Sequence, residues 1–174
     1  MVHPSRNSCP EEVLSSARVF FVTTNTSMSR RLLQSERNAT LLIDVLRSNV
    51  AAGRFQLGDF VIMPDHIHLL ITLQGDMTLE KAMQLIKGGF SYRLKREFGY
   101  LGEVWQRGFS DVRIRDGQSF SQHHAYIVQN PVKAGLVDSA EDWPYCHSYL
   151  AKKKAQGLKP SSLLSPYGPT KVVP

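Results

Sequence analysis

Phe55 to Leu73 read FQLGDFVIMPDHIHLLITL, two runs rich in β-branched and aromatic residues, Phe55 to Met63 and His66 to Leu73, with only Pro64-Asp65 between them. So short a polar break between two apolar runs predicts neighbouring antiparallel strands joined by a tight turn. Upstream, Arg18 to Thr24 (RVFFVTT) reads as another strand, ending in the polar Asn25-Thr26-Ser27. From Ser29 to Asn49 the residues Leu32, Leu33, Leu41, Leu42, Val45 and Leu46 recur at helical spacing, and Gly53 is a stop signal. Downstream, Thr78 is a fitting N-cap for a helix whose apolar positions Leu79, Met83, Leu85, Ile86, Phe90 and Leu94 carry it to Phe98, before Gly99. Gly88-Gly89 weakens its middle without a local reason. Val104 to Ile114 returns to an extended pattern, and Ser119-x-x-Gln122 resembles a capping box that opens a third helix through Asn130, with Pro131 beyond it.

The order β-α-β-β-α-β-α predicts an α+β fold of the ferredoxin-like, split β-α-β kind: an antiparallel sheet with two helices on one face, the other face left open for function, and a further helix added towards the C-terminus. The chain has 174 residues, 42% of them hydrophobic, enough for one cored domain over residues 1–150. After Asp142-Trp143-Pro144-Tyr145 the sequence turns basic at Lys152-Lys153-Lys154 and then Pro- and Ser-rich, so 151–174 reads as a poorly ordered tail. Two distant cysteines, Cys9 and Cys146, make neither a disulfide framework nor a thiolate zinc site. The N-terminus lacks the apolar core of a signal peptide, and no stretch nears the roughly 20 apolar residues of a membrane span, so a soluble, cytoplasmic protein is expected. Lys and Arg outnumber Asp and Glu by 21 to 15, a net charge of +6 that favours a polyanionic partner.

Strand alternation sends His66 and His68 to one face and Ile67, Leu69 and Ile71 to the other. The apolar trio belongs under the covering helices, which leaves two imidazoles together on the open face, near enough to share one metal ion. An H-x-H on a strand also suits two hydrogen-bonded surface histidines, so the spacing alone leaves both readings standing. Tyr126 falls in the third helix with Asn130 one turn later on the same side. Taken alone, the pair is equally a packed ring and an ordinary helix-ending residue.

Met63-Pro64-Asp65-His66-Ile67-His68-Leu69-Leu70 resembles the HUH signature of single-tyrosine transposases, two histidines around a hydrophobic residue. Far downstream, Tyr126 to Val137 (YIVQNPVKAGLV) is similar to the nucleophile segment of the same group, above all its REP-associated tyrosine members. Trp105 to Phe109 (WQRGF) and Trp143-Pro144 fit that pattern too; Cys146-His147-Ser148 stands where the group often shows a serine pair. The resemblance runs in the family's order over most of the chain.

It implies that Tyr126 attacks a scissile phosphate of single-stranded DNA and that Asn130 joins His66 and His68 around a divalent metal. Two imidazoles and an amide oxygen suit exchangeable Mg²⁺ or Mn²⁺ better than structural zinc. The expected partner is single-stranded DNA bearing hairpins from palindromic repeats, bound by a monomer or a homodimer. Candidate phosphate contacts are Lys87 and Arg93 on the second helix, Arg107, Arg113 and Arg115 on or near the last strand, Lys133 after the tyrosine, and the Lys152 to Lys154 run. Arg107 is expected near the scissile site. His123 and His124 read as exposed residues ahead of the tyrosine. Two other functions fit parts of the same pattern: a ferredoxin-like module that binds single-stranded DNA or RNA without cutting it, and a metal phosphodiesterase that uses water, with Tyr126 only packing.

Overall fold

The structure is a computed structural model that describes residues 17–155. Its elements follow the expected order: β1 (Arg18–Asn25), α1 (Glu36–Ala51), β2 (Gln56–Ile62), β3 (His66–Leu73), α2 (Leu79–Phe98), β4 (Ser110–Ile114), α3 (Gly117–Lys133) and a short α4 (His147–Ala155). The four strands lie in the order β2-β3-β1-β4, and every neighbouring pair is antiparallel. This is the ferredoxin-like arrangement.

Alternation divides the sheet into two unlike faces. Phe20 and Val22 of β1, Phe60 and Ile62 of β2, and Ile67, Leu69, Ile71 and Leu73 of β3 meet α1 and α2 in the larger core, which contains Leu42, Leu46, Met83, Ile86 and Phe90. α2 has the boundaries its sequence predicts: Thr78 Oγ1 accepts from the Lys81 N–H, and Gly99 closes the helix in the left-handed conformation at φ 66°. The cost of glycine in mid-helix now has a reason, because a Cβ on Gly89 would lie 3.3 Å from Val45 Cγ1 of α1. Gly89 lets the two helices approach.

Three local boundaries differ from expectation. The first helix starts at Glu36, not Ser29, and residues 27–34 form two 3-10 turns, because Met28 and Ser29 have positive φ (56° and 51°) that a right-handed helix does not accept. Ser35 caps the true start. β4 is only five residues long: Trp105 bridges to Thr26, Gly108 turns the chain at φ 70°, and pairing with β1 begins at Ser110. The third helix is capped by Asp116, whose Oδ1 accepts from the Ser119 N–H at 2.7 Å, and it runs through Pro131 to Lys133. Asn130 is therefore inside the helix; so near the end, the N–H that Pro131 lacks removes a single intrahelical bond.

The second face is not left open. α3 lies over it, and Val61, Met63, Leu70, Ile114, Ile127 and Cys146 form a second core with Phe21, Trp143 and Tyr149 packed around it. Leu70 and Phe21 alternate onto this face and need cover from water, which a bare sheet would not supply. The segment after α3 completes the cover: Trp143 Nε1 donates to the Ile62 carbonyl at 2.9 Å, the Ile62 N–H donates to Tyr145, and Cys146 bridges Val61. Lys152, Lys153 and Lys154 lie in α4, which takes in the start of the tail; residues 156–174, and Cys9, lie outside the described residues. No described helix is long and apolar enough to cross a membrane.

Phe90 is fully buried with its ring 5.5 Å from that of Trp105, so it anchors α2 to both the sheet and the loop before β4. Phe90→Ala is expected to cost about 3–5 kcal/mol of stability in denaturant titration; a loss below about 1 kcal/mol would show that this core does not hold α2.

Candidate active site

The second face carries its chemistry at one end, where β1, β3 and α3 meet. His66 and His68 come from β3, opposite Asn25 and Thr23 of β1, and their ring centroids are 4.8 Å apart. Tyr126 comes down from α3, its ring edge-on to His68 at 5.1 Å and to Phe21 at 5.9 Å. Residues nearly sixty positions apart in sequence are thus in van der Waals reach within a single chain. Asn130 follows Tyr126 by one turn and is buried.

Each histidine is held by one ring nitrogen. His66 Nδ1 lies 2.6 Å from Asp65 Oδ1, and His68 Nδ1 lies 2.8 Å from Thr23 Oγ1. Thr23 could not be found from sequence, because its role depends on the register of β1 against β3; Asp65 is adjacent to the motif and could have been. Phe21 stacks on His68 at 5.4 Å and 18°. With Nδ1 engaged, the Nε2 atom is the one left to meet a ligand. Among the described residues His68 Nε2 is fully buried with no hydrogen-bond partner, an arrangement that costs free energy unless a ligand meets it.

The imidazole of His68 is pushed down from 6.5 to about 3, first by burial and then by the charge of nearby His66. It stays neutral, with a lone pair to offer, over the whole physiological range. Among the described residues no three His, Cys, Asp or Glu side chains surround a common point, so a closed structural zinc site is not built here. Two imidazoles on one strand face suit an open, exchangeable divalent ion better than a closed four-ligand site.

The other candidate residues are scattered. Lys133 Nζ lies 5.6 Å from the Tyr126 ring centroid, placing a cation beside the phenol. Arg107 is exposed in the loop between Trp105 and β4. That loop is pinned by Lys87, whose Nζ donates to the Gln106 and Gly108 carbonyls at 2.8 and 2.6 Å; Lys87 is an internal clamp, with its pKa lowered by burial. Arg93 is paired with Glu97 on α2 at 2.6 Å. Arg113 and Arg115 line a surface pocket with Arg18 at the far end of β1 from the histidines. His123 and His124 are not idle: His123 packs on Phe21 with centroids 4.6 Å apart, and His124 Nδ1 reaches Asp59 at 2.6 Å.

The burial of His68 has a consequence for pH. The unfolded chain takes a proton at this imidazole below its ordinary 6.5, the metal-free folded chain only near 3, so stability present above 6.5 is lost as pH falls through that window. The loss should reach about 1–3 kcal/mol. Metal-free His68→Gln should show a shallower fall in Tm between pH 7 and pH 4 than the metal-free parent, and parallel curves would remove His68 as the cause.

Comparison with known proteins places this geometry. The family model described as Transposase IS200 like matches residues 16–130, taking in His66, His68, Tyr126 and Asn130. A REP-associated tyrosine transposase of Escherichia coli K12 is 33% identical over 107 residues, 61% of this chain and 61% of that protein. A Haemophilus influenzae protein assigned to the same group is 35% identical over 101 residues, 52% of this chain and 57% of its own length. The chain therefore spans about three fifths of the length of these curated relatives. A solved REP-associated tyrosine transposase, bound to a REP hairpin, superposes with a TM-score of 0.61 at 27% identity, covering 90% of this chain and 93% of that one. The family match spans well over half of the sequence and includes all four residues of the site, and the chain belongs to the IS200-like transposase family.

Proposed function

We propose that this protein cuts and rejoins single-stranded DNA at hairpin-forming repeats, through a covalent bond between Tyr126 and a 5′-phosphate. One observation carries the reading: the Tyr126 ring sits 5.1 Å from that of His68, whose buried Nε2 has no hydrogen-bond partner among the described residues. The solved relative bound to a REP hairpin supports the class of substrate.

In this reading His66 and His68 would hold a divalent ion, His68 through its buried Nε2, with Asn130 as the candidate amide ligand. Once bound, Mg²⁺ or Mn²⁺ supplies charge withdrawal from the non-bridging oxygens of the scissile phosphate. The Tyr126 oxygen attacks phosphorus, the bond from phosphorus to the 3′-oxygen of the preceding nucleotide breaks, and that oxygen leaves as a 3′-hydroxyl with a proton. The phenol gives up its own proton, which the Lys133 ammonium favours by standing 5.6 Å from the ring. Because one phosphoester replaces another, a second 3′-hydroxyl can reverse the step without ATP. Phe21 and Ile127 keep the floor of the site dry, which strengthens each of these charge interactions.

The test is incubation of the protein with labelled single-stranded hairpin DNA from its own genomic flanks, with Mn²⁺ or EDTA, followed by denaturing gels. A metal-dependent protein–DNA adduct, lost in Tyr126→Phe and in His68→Ala, is the expected result. Cleavage that survives Tyr126→Phe would assign the reaction to water, and binding without cleavage under any metal would make this a non-catalytic module. Thr23→Val, which leaves His68 Nδ1 unsupported, should weaken Mn²⁺ binding about 10-fold in titration calorimetry; unchanged affinity would remove Thr23 from the site.

A further inference from the structure

Asp59 is a buried carboxylate that the chemistry above does not use. It stands on β2 opposite Leu70, on the second face, with its side chain only 2% exposed. Leu70, Ile127 and Phe21 of the second core share that face, where an aliphatic side chain would be the ordinary occupant. Oδ1 accepts from the Phe60 N–H at 2.7 Å. Oδ2 has no aligned hydrogen bond, yet lies 2.6 Å from Nδ1 of His124 on α3, near enough for an ion pair. Among the described residues this is the only close carboxylate–imidazole contact joining α3 to the sheet. His147, at the start of α4, and Cys146 just before it are the other titratable groups that interact with Asp59, which stands opposite Leu70 of β3. Burial raises the carboxyl above its usual range despite the opposing pull of the Phe60 N–H, His124 and His147.

His124 and Tyr126 are two residues apart, about 200° around the helix at about 100° per residue, and Ile127 lies between them on the buried stripe. His124 leans towards β2 and Tyr126 towards β1 and β3, so rolling the helix on Ile127 lowers one and lifts the other. An aliphatic contact resists sliding out of the core but scarcely resists such a roll. A roll of about 20° moves a side chain at the ~5 Å outer radius by about 2 Å.

We propose that Asp59 and His124 act as a roll stop for the tyrosine helix: their contact fixes the rotation of α3 and so sets the height of the Tyr126 phenol above His68. Both are positioning residues. The assignment rests on Tyr126 being the nucleophile for its consequence in catalysis, but not for the geometry itself. It explains why an acid is kept where it must be desolvated, and why His124, half exposed at its other edge, turns one nitrogen inward.

The experiment compares Asp59→Asn, His124→Ala and the double variant in the full chain. Two quantities are measured: the single-turnover rate of adduct formation on saturating hairpin DNA, and the ring resonances of ¹³C-labelled Tyr126, assigned with Tyr126→Phe. Those resonances lie in the ring currents of Phe21 and His68 and report rotation of α3 whether or not the protein cleaves. Expected are a rate about 10-fold lower in either single variant with DNA affinity unchanged, a double variant no slower than the worse single, and a shifted Tyr126 resonance in all three. Losses that add in the double variant, or a Tyr126 resonance unmoved in both single variants, would overturn the roll stop. Should the parent form no adduct, the reading of Tyr126 as nucleophile falls separately, and the resonances alone decide this one. Because His124 is largely at the surface, its variant keeps the test open even if Asp59→Asn folds poorly.

Discussion

The register of β1 against β3 is the constraint on which the rest depends. Thr23 pairs with His68 and Asn25 with His66, so Thr23 Oγ1 is delivered to His68 Nδ1 and Phe21 is laid along the same imidazole. A slip of one residue would carry both histidines into the helical core and put Ile67 and Leu69 beneath Tyr126. The register is held from the opposite face, where Phe20 and Val22 interdigitate with Ile67, Leu69 and Ile71 under α1 and α2. Ordinary apolar packing on one side of the sheet thereby fixes a polar geometry on the other to within a fraction of a strand spacing.

α3 has two tasks that pull in different directions. As a cover it must bury Leu70, Phe21 and Val61, which Ile127 does. As the carrier of Tyr126 it must keep a phenol partly in solvent, and Tyr126 is 43% exposed. The helix reconciles these by confining apolar contact to a narrow stripe and lining its margins with His123, His124 and Asn130, each of which meets a partner or is buried. Polar groups at such margins are more costly than leucines would be. Sites where local rules are broken in this way tend to be the working parts of a protein.

Much of this was legible in the sequence, and the limits have physical causes. β3 and α2 were readable to the residue, because the apolar run from His66 to Leu73 begins directly after Pro64-Asp65 and because Thr78 and Gly99 are local signals for a start and a stop. The start of α1 was not, since positive φ at Met28 and Ser29 leaves no mark in residue type. Pro131 read as a terminator because in most helices it is one; here it falls within the last turn. His66, His68 and Tyr126, which the structure brings together, could be singled out in advance, whereas Thr23, Phe21 and Asp59 could not, because their contacts depend on strand pairing and on a covering helix far away in sequence. Lys87 shows the reverse error: a lysine on a helix resembles a phosphate contact until two backbone carbonyls are found to hold it.

The covered face also decides from which side the site is reached. Along β2 the edge is closed by Trp143, Tyr145 and Cys146, which bond to Ile62 and bridge to Val61. Along β4 it is not: Val112, opposite Phe21, is 48% exposed, and Ser110, opposite Thr23, is exposed as well. Burial falls in the same direction, from His68 at 4% to Tyr126 at 43%. Among the described residues, the margin over β4 is therefore the one left open to a partner too large for a closed pocket. The loop that Lys87 and Trp105 hold against α2 lies immediately before that strand, with Arg107 exposed in it.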